Sequence, residues 1–150
     1  MAVVKEIVEK LKEEIGNILP EYKALRYEYD INSNSDRDYK KRYGVTIDSA
    51  NVVQNTIGFI TMEHTFNVVL TNSFLNKDSD ASKNKSLAEV YDAAEAITAA
   101  INCRKLDLAS PTYNVLLISN LSLDTPEFLT DTNIIALRLN LDIRYKYRHK

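Results

Sequence analysis

Cysteine occurs once in the 150 residues, at Cys103, and glycine and proline three times each. A lone cysteine excludes an internal disulfide and suits a protein assembled in a reducing compartment. Glycines scattered at 16, 44 and 58 cannot make a phosphate-cradling loop, and neither GxxxxGK[ST] nor GxGxxG occurs. So little glycine and proline leaves few flexible linkers, and the length suits one domain spanning residues 1–150. Long apolar runs are missing as well. No segment approaches the ~18 apolar residues of a membrane span, and the opening MAVVKEIVEKLKEE is charged throughout, unlike a secretory leader. Charge of one sign is not in excess either. A net charge of −2 argues against a general nucleic-acid binder, while 45% hydrophobic and 27% charged residues suffice for a folded core. The expectation is a single compact cytosolic domain.

What is present is periodicity. Val4, Ile7, Val8, Leu11, Ile15, Ile18 and Leu19 fall on one side of a 3.6-residue repeat, which predicts an opening helix ended by Pro20. YKALRYEYDI (22–31) and YGVTIDS (43–49) alternate as half-buried strands around the polar loop 32–42. A long strand is expected from about Ile57 to Leu70, with Ile60, Met62, His64, Phe66, Val68 and Leu70 on one face. The stretch 76–85 has the composition of an exposed loop. Ser86 and Glu89 then form a capping-box pattern that opens a second, alanine-rich helix with Leu87, Val90, Tyr91, Ala94, Ile97 and Ile101 as its apolar stripe. YNVLLIS (113–119), almost wholly apolar, predicts a short central strand, residues 123–132 a turn region, and the C-terminal stretch a last strand. The order α-β-β-β-α-β-β predicts an α+β domain with two helices packed on a mostly antiparallel sheet.

No constellation for catalysis or cofactor binding emerges, and no enzyme activity or cofactor is expected. His64, His149 and Cys103 lack metal-ligand spacing; His64, on an apolar face, reads as a hydrogen-bonded core or interface residue. Asp78, Asp80, Ser82 and Glu89 match four positions of a calcium loop, but Lys83 replaces its obligatory glycine. A metal-dependent nuclease would need Glu-x-Lys, and Glu63-His64-Thr65 lacks the lysine. Two basic groups remain: Arg37, Lys40, Lys41 and Arg42 in the first loop, and Arg138, Arg144, Lys146 and Arg148 on the last strand. They read either as a solvated face or charge-protected edge, or as a contact surface for phosphates or an acidic partner.

The last strand carries the strongest signal. From Ile135 to Tyr147 every odd position is apolar, while the even positions from Arg138 onward are mostly cationic. At ~3.4 Å per residue such a strand is about 44 Å long, against the ~15 Å radius of gyration of a domain this size. Part of this length is expected to project or to meet another subunit, with Tyr145 and Tyr147 as interface aromatics.

In this ordered pattern the whole chain resembles the tail terminator proteins of tailed bacteriophages. The resemblance rests on the amphipathic opening helix, the paired strands around a polar loop and the long strand TMEHTFNVVLTNSF (61–74). It also rests on the Ala-rich helix KSLAEVYDAAEAITAAIN (85–102) and the closing NIIALRLNLDIRYKYR (133–148). It implies a structural virion protein, assembled in the host cytoplasm, that forms a ring, commonly a hexamer. Such a ring caps the tail tube, ends its polymerisation and joins it to the head-side connector or neck protein. The implied partners are the chain itself, the tube protein and that connector, with DNA only as passing cargo and no membrane. The polar loops 32–42 and 76–85, with Asp78 and Asp80 in the second, are candidate contacts. Two alternatives stand beside this: a head-closure or head–tail joining neck protein, and a nucleic-acid-binding or nuclease domain using the basic strand.

Overall fold

The computed structural model describes residues 2–25, 40–74, 80–102, 106–128 and 133–148. Two helices and a mixed, largely antiparallel sheet follow in the order α1 (Ala2–Ile18), β1 (Lys23–Ala24), β2 (Arg42–Thr56), β3 (Phe59–Ser73), α2 (Asp80–Asn102), β4 (Tyr113–Leu123), β5 (Glu127–Phe128) and β6 (Ile134–Arg148). This is the α+β class and element order that the periodicity predicts, with the two-residue β5 added inside the expected turn region. The sheet runs β1-β2-β3-β6-β4, and β5 also pairs with β6.

Hydrophobic period decides which faces are covered. Ile7, Leu11 and Ile15 of α1 are fully buried, spaced so that their side chains stack along one ridge. Val90, Ala94 and Ile97 do the same for α2, and Ala93 and Ala94 allow the helix to lie close. Both helices share one core with Phe66, Val68 and Leu70 of β3 and Leu137, Leu139, Leu141, Ile143 and Tyr145 of β6. The odd positions of β6 are thus the helix-covered face, in direct register with the even positions of β3. Gly16 is where Tyr43 crosses α1: a Cβ there would stand 3.0 Å from the phenol oxygen, which donates a hydrogen bond to the Lys12 carbonyl at 3.0 Å.

Several boundaries differ from expectation for identifiable reasons. β2 and β3 form one hairpin, turning at Ile57 and Gly58, whose φ of 86° only glycine adopts without strain. β2 therefore continues through SANVVQNT, which has no apolar alternation and no buried side chain; residues 48–56 are all exposed. α2 begins at Asp80, so 80–85 are helix rather than loop. Ser86 is consequently inside the helix and no capping box forms. Its hydroxyl donates to the Ser73 carbonyl at 2.9 Å, and Glu89 accepts from Asn72 Nδ2 at 2.9 Å. These bonds pin the helix to the end of β3. β4 is an edge strand, not a central one, and the basic β6 is interior between β3 and β4, so its charges protect no edge. The pairing of 22–31 is seen for Lys23–Ala24, parallel to β2; residues 26–31 lie outside the described residues.

Candidate assembly surface

The face of the sheet away from the helices is built from the even positions of β6 and the odd positions of β3. Its buried apolar residues, Leu25, Val69, Ile134 and Ala136, lie at one end. Along the rest, three of the four cations found in the sequence meet counter-groups of this same chain. Arg144 donates through Nε and Nη2 to Glu63 Oε2, at 3.3 and 3.0 Å, on the directly opposite residue of β3. Arg138 pairs with Glu127 at 3.3 Å. Lys146 Nζ stands 4.4 Å from the centre of the Phe59 ring, a cation–π distance. Asp142, between the two arginines, accepts from Thr65 at 2.6 Å and Asn120 at 2.7 Å. Asn140 donates to Asp124 at 2.8 Å. These cross-strand pairs turn a row of charges into a nearly neutral ladder.

The remaining candidates separate. Lys41, in the positive-φ turn before β2, pairs with Glu21 at 3.0 Å. Lys40 is exposed beside it, Arg42 is the first residue of β2, and Arg148 is the exposed last residue of β6. Asp80 is exposed in the first turn of α2, where a carboxylate favours the helix dipole. Arg37 and Asp78 lie outside the described residues, so the calcium-loop spacing is visible only from Asp80, where it is helical. Among the described residues no group of three or more His, Cys, Asp or Glu is placed to hold a metal ion. Glu63, the carboxylate weighed for a nuclease, is committed to Arg144.

Tyr145 corrects the expectation of an interface aromatic: it is fully enclosed in the core. Its phenol oxygen lies 2.9 Å from His64 Nε2, the two rings stack at 5.3 Å between centroids, and Tyr113 meets it edge-on at 6.1 Å. Burial raises the Tyr145 phenol to about 12, with the Tyr147 phenol adding to the rise, and lowers the His64 imidazole from its ordinary value. This is a neutral core pair, as the apolar setting of His64 implies. Tyr147 is partly buried against the same core.

The residues that the sequence reading missed are at the two edges. Val52 and Val53 of β2 and Leu116 and Leu117 of β4 are exposed, at 61, 45, 53 and 40%. Residues 48–56 carry one charge, Asp48, and β4 carries none and no proline. Exposed edges normally carry lysine, proline or inward charges that repel further strands. That absence was legible in the sequence, but an uncharged apolar strand reads equally as a buried one. No protein-family model matches the chain, and no curated protein matches it.

Proposed function

We propose that this chain is a ring-forming structural subunit of the phage tail-terminator type, which caps a tail tube and offers its other side to the head-side connector. The observation that carries this reading is the run Asp48–Thr56, the outer half of β2, in which every residue is exposed. A strand of 15 residues is about 50 Å long at ~3.4 Å per residue, more than the chain uses in its own core. Strand length outside the core gives surface for repeated contacts between copies. The paired state of Arg138, Arg144 and Lys146 counts against the nucleic-acid reading, since phosphate binding would first have to displace Glu127, Glu63 and the Phe59 ring.

The test is assembly on purified tail tubes that lack their terminator, viewed by electron microscopy. Rings at one end of tubes that have stopped growing, and that then join heads, are expected. Tubes that keep elongating and carry no ring would sink the reading. Binding to connector-bearing heads without binding to tubes would move the chain to the neck.

A further inference from the structure

Among the described residues two edges of the sheet are open, and they are matched. β2, β3, β6 and β4 alternate in direction, so the edge strands β2 and β4 run in opposite senses. A second copy set beside the first in the same orientation would bring its β2 antiparallel to β4, continuing the alternation. The levels agree as well. Asn55 is opposite Ile60, which is opposite Tyr147, which is opposite Tyr113. Ser49 leads by the same route through Thr65 and Asp142 to Ser119. The exposed half of β2 and the body of β4 therefore stand at one height on opposite sides of the molecule.

The far end of each side is closed, also at one height. β1 covers β2 at Arg42 and Tyr43, while β5 lies beside β6 at Ile135 and Ala136, and Arg42 leads through Thr71 and Ala136 to Glu127. Among the described residues nothing pairs with the outer side of residues 48–56 or of β4. The bulges agree too. Of the register shifts, at Asp48 and Val53 in β2 and at Leu116 and residues 120–121 in β4, those at Val53 and Leu116 are about one residue apart in height, and each of these two puts an apolar side chain where an edge usually carries a charge.

We propose that the sheet continues from one copy of this chain into the next, with the β4 edge of one subunit pairing antiparallel with residues 48–56 of its neighbour's β2. Main-chain hydrogen bonds hold the strands, and Val52 and Val53 meet Leu116 and Leu117 across the join. The contact joins two different surfaces, so it repeats from copy to copy and closes when the rotation permits. This deepens the ring reading above and rests on it only for closure.

The test uses two double variants of the full chain, V52K/V53K and L116K/L117K, with I57K at the exposed hairpin tip as control. Circular dichroism and thermal unfolding verify that each is folded, which the exposure of all five positions leads us to expect. Light scattering should find wild type and I57K at the same multiple of 17.1 kDa. Each edge variant alone should drop to 17.1 kDa, and their equimolar mixture should recover twice that mass and no more, because one intact edge remains on each. The proposal is overturned by a wild type that stays monomeric, by either edge variant keeping the wild-type mass, or by a mixture that stays monomeric. A β4-to-β4 dimer would show itself as V52K/V53K still pairing alone. Edge-mediated assembly without any effect on tails would retain this contact and remove the terminator reading; tail capping unaffected by the edge variants would do the reverse.

Discussion

His64 is buried with Nε2 against the Tyr145 hydroxyl, and among the described residues no partner is found for Nδ1. Charging the ring inside this site is disfavoured by desolvation, which lowers its pKa in the folded chain. The unfolded chain then takes up the proton first, so folding stability from this residue is fully present above the ordinary histidine value of ~6.5 and is lost as pH falls through it toward the folded value. The urea midpoint should fall between about pH 7.5 and about pH 5.5, and H64Q should flatten that part of the profile. An unchanged slope in H64Q would place the acid sensitivity elsewhere. At the same scale, ion pairs such as Arg144–Glu63 are half exposed and contribute about 0–1 kcal/mol each. Their importance is that they leave little unpaired charge on the sheet face.

At the scale of elements, the attachment of α2 to β3 depends on Asn72, which is almost fully buried at the end of the strand. Its Nδ2 donates to Glu89 and its Oδ1 accepts from the Ser73 amide at 3.0 Å. Asn72→Leu would keep the branched shape and take away the partner of Glu89 and of the Ser73 amide, a loss of about 1–3 kcal/mol. Denaturant unfolding should register that loss, with faster amide exchange in residues 80–89 than elsewhere in α2. Uniform exchange along the helix would mean that the anchor is not local. The β2 arm of the β2–β3 hairpin has the opposite character: from residue 48 to 56 it is held by ladder hydrogen bonds with no buried side chain, so its conformation is set by strand pairing and by Gly58.

For the molecule as a whole, the balance between charge and main-chain contact predicts how assembly responds to solvent. A contact led by Arg138, Arg144, Lys146 and Arg148 would weaken steeply with salt, because screening acts within about 10 Å at 0.1 M. Edges almost without charge should be insensitive. Light scattering from low to about 1 M sodium chloride should therefore leave the assembled mass unchanged. A fall to the monomer with salt would favour a charge-led contact. Chelators should have no effect on that mass, since nothing in the proposed contact uses a metal.

The alternation in β6 and β3 and the 3.6-residue repeat in α1 were enough to determine element type, order and buried face, because each pattern matches one backbone geometry. The polar His64 on its apolar face likewise already implied a hydrogen-bonded core or interface histidine. Only tertiary structure decided where those elements stand. An apolar, uncharged strand such as β4 can be central or an edge, and its neighbours alone distinguish the two; the same holds for the charged β6, which lies inside the sheet because its cations find Glu63, Glu127 and Phe59 on adjacent strands. Ser86 and Glu89 fit a helix start locally, yet contacts with Asn72 and Ser73 let the helix begin earlier. Tyr145, which appeared suited to a surface at the end of a long strand, is enclosed because Tyr113 and His64 arrive beside it from distant parts of the chain. Local spacing cannot encode such meetings, since they depend on which strands pair and in what register.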